Sequence, residues 1–441
     1  MSVAAAAAGP YGLPPQHPMR IALNDEVHAR PPEALEPPLS LSQIALLHPE
    51  DMPPAAPWEA MRDLALRFGR PPPAPDANHV SANFGPFRLR WERHTEFSRC
   101  MVITPGTAEA PFAEPAIAAL PADWVAALPG QLVVATHAAL LAAPPDEPDA
   151  GAIAARHFAG NQIIGASVLD ARGFAFTDMR IAADGFGQLL VLDRGMTPWQ
   201  AGRIVQRLLE IDTYRIMALL ALPVARELVP ILAADERELA GIIAALLGPG
   251  EADEPVLLSR LTRLAAGTES REARHRYRFD AAAAYHELVQ RRIEELREGR
   301  IEGLQTFREF TERRLAPAMN TCRTVGRRQD QLAARIARAT GLLSTRVDLV
   351  RRRQNQSLLE SMNRRAQMQL RLQQTVEGLS VAAITYYVVG LIAYIARGAG
   401  AAGLGLREEL VVAAAAPIVA VIAFIAIRRL RREATDEGGA A

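Results

Sequence analysis

Two uncharged apolar runs near the C-terminus, LSVAAITYYVVGLIAYIA at 379–396 and LVVAAAAPIVAVIAFIAI at 410–427, constrain this chain more than any other feature. As a helix each run spans about 27 Å, close to the hydrocarbon thickness of a bilayer once flanking residues are counted. A helix that is apolar on every side must be buried in protein or in lipid. The pattern predicts a C-terminal two-helix transmembrane hairpin, with helices over 378–397 and 410–428 and a loop over 398–409.

Arginine sets its orientation. Arg364, Arg365 and Arg371 precede the first run and Arg428, Arg429, Arg431 and Arg432 follow the second, whereas Arg397 and Arg407 of the loop are offset by Glu408 and Glu409. The excess of positive charge at the two outer flanks places both termini in the cytoplasm of a bacterial cell, as a multi-pass protein of the inner (plasma) membrane. Gly398, Gly400 and Gly403 spell G-x-G-x-x-G. With no strand before them they read as a flexible turn, not a dinucleotide cradle.

The chain carries 49 basic and 49 acidic residues. That zero hides a segregation: residues 1–254 sum to −12, residues 255–376 to +12, and the remainder is neutral. The two charged parts are expected to attract each other. Every basic residue is arginine, which excludes a Walker P-loop lysine and Schiff-base chemistry. Cys100 and Cys322 stand alone and suggest neither a disulfide framework nor a metal cluster.

Between a disordered leader (1–16) and the hairpin, two regions are expected. Residues 17–250 read as an acidic α+β cytoplasmic domain, with strand character at 87–93, 99–104, 131–137, 163–170, 173–181 and 187–195. A helical stretch follows, capped at Thr197 and divided at Pro223. Residues 255–377 read as a basic, coiled-coil-like helical stalk, with Leu332, Ile336, Ala339, Leu343, Val347 and Val350 stepping by three or four. A helix from about 318 would run on into the first span, and its apolar stripe calls for partners, so a homo-oligomer is expected. The runs Arg327–Arg328, Arg351–Arg353 and Arg364–Arg365 lack interleaved aromatics, so no nucleic acid is expected. Residues 429–441 form a basic cytoplasmic tail.

The densest polar cluster is His17, Arg20, Asn24, Asp25, Glu26, His28 and Arg30. Asp25, Glu26 and His28 combine oxygen donors with an imidazole that titrates near neutrality, the residue types of a metal or proton-transfer site. The spacing matches no known metal-ligand pattern, and Arg-Pro-Pro favours an extended arm lying back over the domain. No G-x-S-x-G, H-E-x-x-H or C-x-x-C is present, so no catalytic residue and no cofactor can be assigned, and a non-enzymatic role is favoured.

LNDEVHARPPEAL (23–35), IDTYRIMALLALPVAREL (211–228) and the stretch from STRVDLV to IAYIARG (344–398) resemble a bacterial family of membrane-anchored proteins built on a domain of unknown function. That resemblance implies no catalytic residues. The architecture is also similar to CorA-type divalent-cation transporters, although IARGAGAAG (395–403) stands where that family has Gly-Met-Asn. Three functions are therefore carried forward: a membrane-anchored scaffold or sensor, a CorA-like channel, and a metal enzyme using Asp25, Glu26 and His28.

Overall fold

The computed structural model describes residues 14, 16–28, 31–106, 109–248, 253–401 and 408–437. They divide into two compact units, Met1–Ala339 and Thr340–Ala441. The N-terminal unit is mixed α and β and is followed by long helices.

In the first unit, all six stretches with strand character are strands: β3 (Arg88–Arg93), β4 (Phe97–Pro105), β5 (Gln131–Ala142), β6 (Ile164–Val168), β7 (Gly173–Thr177) and β8 (Gly187–Asp193). Three more were not anticipated: β1 (Leu39–Leu47), β2 (His79–Asn83) and the two-residue β9 (Gly299–Arg300). Together they form one nine-stranded sheet in the order β2-β3-β4-β1-β5-β8-β7-β6-β9. The β5–β8 pairing is parallel, while β1 runs antiparallel to both β4 and β5.

The period of two along each strand sorts side chains onto two faces. One face packs Ile44, Leu89, Trp91, Cys100 and Val102 against Met61 and Leu64 of α2 (Ala56–Arg67) and Trp124 of α3 (Ala122–Ala126). Further along the sheet, Phe174, Phe176 and Leu190 pack with Ile153 of α4 (Ala150–His157). The opposite face carries Gln43, Arg90, Glu92, Arg99 and Thr136, all buried.

That polar face is covered by α5 (Pro198–Leu219), which packs on β5 and along α7 (Glu254–Leu296). Thr197 caps α5 through a reciprocal box with Gln200. Gly202 is required where it stands, because a Cβ there would lie 1.7 Å from the carbonyl oxygen of Glu33. Pro223 lies in the first turn of α6 (Ala221–Leu247), and the break falls at Leu220.

The expected attraction between acidic and basic regions is realised inside this unit. Arg260, Arg271, Arg278, Arg292 and Arg328 pair with Glu238, Asp235, Glu96, Glu210 and Glu236 respectively. The first part of the basic region is thus packed on the acidic one. After α8 (Phe307–Arg314) comes α9 (Ala316–Ala401), and the boundary between the units falls within it.

The second unit comprises the rest of α9 and α10 (Glu408–Glu437). The loop between them, 402–407, lies outside the described residues. Three helical stretches are long and apolar enough to cross a membrane: Pro198–Leu247, Phe307–Gly398 and Glu409–Ile427. The sequence pattern pointed to the last two. The first, made of α5 and α6, is a third candidate by length and composition.

Candidate functional site

Four side chains of the N-terminal polar cluster are described, and all four are exposed. His17 is exposed and its Nδ1 accepts from the backbone of Met19. Arg20, Asn24 and Asp25 are exposed on α1 (Arg20–His28), where Asn24 Nδ2 donates to Asp25 at 3.4 Å. Glu26 and His28 belong to the same helix, their side chains outside the described ones, and Arg30 lies outside the described residues. No group of three metal-ligating side chains comes together among the described residues.

The second half of the motif is better tied. Leu35 donates its backbone N–H to Pro198, Arg88 donates to the carbonyl of Ala34, and Ser81 donates to Glu33. Pro31–Leu35 is an extended segment clamped between β2, β3 and the start of α5, a structural fastening.

Sequence reasoning missed the charged centre of the unit. Glu92 accepts from Arg90 at 2.8 Å and from Arg99, while Glu210 accepts from Arg99 at 3.1 Å, from Gln206 at 2.8 Å and from Arg292 at 2.5 Å. Gln43 donates to Thr213 at 3.1 Å and completes the layer. Burial alone would raise the pKa of both carboxyls. The arginines outweigh it, Arg99 foremost for both, and the two acids are held below the usual carboxylate range. Charges 99, 210 and 292 positions along the chain are brought together only by tertiary packing. The signal that could have found them is Arg90 and Glu92 sharing one face of a strand.

A serine, a histidine and an aspartate also line up. Ser42 Oγ lies 2.8 Å from Nδ1 of His137, whose Nε2 is 3.5 Å from Asp184. Ser42 is fully buried, and its oxygen also accepts the N–H of Ile117. Burial lowers the His137 pKa and keeps the ring neutral, stacked 3.8 Å from Phe186. A nucleophile must reach a substrate carbonyl. This one is sealed under the sheet, and the trio serves to tie β1 to β5 and to the loop before β8.

Open space lies on the α5 side of the sheet. Residues 132–136 of β5, Thr177, Met179–Ile181, the start of β8 and α5 enclose a cavity of about 170 Å³. Val134, Leu189, Leu208 and Ile216 make its walls apolar, and Leu132 and Ile181 also line it while being 58% and 79% exposed. At its polar end Asp212 accepts from Thr136 at 2.5 Å and from Arg215 at 2.6 Å. Arg180 also lines it, its guanidinium unpaired among the described residues. Met179 holds a left-handed φ of 54°, fixed by its N–H donating to Thr177 Oγ1. No histidine or cysteine lines this space. Apolar walls with a few placed polar groups are the usual lining of small-molecule sites.

No curated protein and no solved structure shows a significant match to the chain. The similarity to CorA-type transporters is not shown by these comparisons. One family model does match, over residues 15–434, and it spans both units. The chain belongs to the family described as protein of unknown function (DUF3422).

Proposed function

We propose that this chain is a membrane-anchored sensor or scaffold. Its two C-terminal apolar helices form a transmembrane hairpin, and its N-terminal unit is held at the cytoplasmic face. The observation that carries this reading is the exposure of those helices. In the most apolar windows of α9 and α10 only 6% of residues are buried, and Leu391, Tyr394, Ile395, Val421 and Phe424 are all exposed. Side chains of that kind on every side of a helix suit a hydrocarbon environment.

Residues 340–376 supply the assembly element. Leu349, Leu358, Leu359, Met362 and Leu372 are exposed on α9, and a second copy of the same helix would cover them. The sensing element is the cavity on α5, whose apolar walls and Arg180 suit a small amphipathic anion.

Reporter fusions test the topology. An enzyme active only outside the cytoplasmic membrane is fused after Gly403 or after Ala441. Activity is expected at Gly403 alone, and activity at both sites or at neither would overturn the hairpin.

A further inference from the structure

The first residues of β5 are paired on one side only. β1 runs along 131–135, whereas pairing with β8 begins at Thr136, opposite Gly187. On the β8 side of 131–135 no strand stands among the described residues. The 170 Å³ cavity runs along this edge, since Leu132, Val133, Val134, Ala135 and Thr136 all line it. Side chains of a strand alternate between faces, so a run of five lining residues presents backbone to the space as well as side chains. Ala135 shows this, because its side chain packs on the opposite face with Ile44 and Phe186. A register shift between Ala45 and Leu46 leaves Val133 opposite no residue of β1, a bulge of the kind that ends or redirects pairing.

The other walls add shape and charge. The loop before β8 brings Arg180 and the exposed Ile181, and β5 brings the exposed Leu132. An extended chain laid along β5 would cover both of these apolar side chains. A dry cavity of about 150 Å³ takes a benzene ring, so the 170 Å³ here holds one side chain of Leu or Phe size. Asp212 is engaged by Thr136 and by two nitrogens of Arg215. With Arg180 added, two arginines face one carboxylate, and the lining is positive overall.

These features together define the occupant. A free strand edge pairs with the amide N–H and C=O groups of an extended chain, and pockets beside it select the side chains. The apolar walls take one such side chain, and the positive charge takes an anionic oxygen group. A simple amphipathic anion meets the last two demands and leaves the edge unpaired. We infer that this cavity binds the carboxy-terminus of an extended peptide with an apolar last residue. The peptide lies beside 131–135 of β5, on the side that β8 takes up from Thr136 onward, with its terminal carboxylate toward Arg180. This inference rests on the sensing role proposed for the cavity and names the class of its ligand.

Calorimetric titration of the full-length protein in detergent tests it with four probes. They are acetyl-Ala-Ala-Leu with a free carboxylate, the same peptide as its carboxamide, the same peptide N-methylated at its last two amides, and hexanoate. Saturable binding of the free-carboxylate peptide is expected, about tenfold or more tighter than each of the other three. Arg180→Gln, at an exposed position, should weaken that peptide about tenfold and leave the carboxamide unchanged. Binding of the carboxamide or the N-methylated peptide as tight as that of the parent would overturn the inference, as would an unchanged affinity in Arg180→Gln. Hexanoate binding as tight as the peptide would overturn it while the small-anion reading stands, whereas no saturable binding by any probe would remove both.

Discussion

The stretch formed by α5 and α6 and the apolar part of α9 are nearly equal in hydropathy, 1.9 and 2.0 in their most apolar windows, yet their surroundings differ. A third of the window is buried against protein in the first, and 6% in the second. The two stretches also differ in the charge that lies beside them. In α5, Glu210 sits in the middle of an apolar row and meets Arg99 and Arg292, and Asp212 pairs with Arg215. Such a helix has a partner surface written into it. The run 379–396 has no charge with which to recognise a surface, and Ala396 is its one buried residue.

The sharpest way to break the comparison is at the charges. Glu92→Ala leaves Arg90 and Arg99 buried beside an empty position, and loss of one partner of a buried pair costs about 3–5 kcal/mol. Thermal unfolding of the full-length protein should show that loss in the N-terminal unit. The same carboxyls give a pH signature. Their folded pKa values are depressed, so their contribution is complete above the unfolded value of about 4.3 and is lost as pH falls below it. Acid sensitivity below about pH 4 should be blunted in Glu92→Gln, measured against that variant's own neutral-pH stability.

A smaller effect comes from matched apolar truncations. Ile204, fully buried in α5, should cost about 2–5 kcal/mol as Ile204→Ala. Leu391, 61% exposed on α9, should change unfolding by no more than about 0.5 kcal/mol as Leu391→Ala. Equal losses at the two positions would mean that protein packs around both.

Much of the fold was legible because it follows from local pattern. Alternation and turn residues marked six strands, and Thr197-Pro198 marked the start of α5. The central strand β1 was missed because LSLSQIALL is buried on both faces while carrying Ser40, Ser42 and Gln43, which breaks the apolar run expected of such a strand. The cavities were hardest to read. The 170 Å³ cavity draws Val134, Arg180 and Asp212 from three separate segments, and only the packing of α5 on the sheet brings them together. The N-terminal motif was conspicuous in sequence, yet its Pro31–Leu35 half acts as a fastening for Gly202 and β3.

The central claim is that lipid contacts α9 and α10 and does not contact α5 and α6. A lipid-borne photoactivatable carbene probe, incorporated into membranes holding the full-length protein and followed by peptide mass spectrometry, reads this directly. Labelling is expected across 379–396 and 410–427 and absent from 198–247. Labelling throughout 198–247, or none in the two C-terminal runs, would contradict the account.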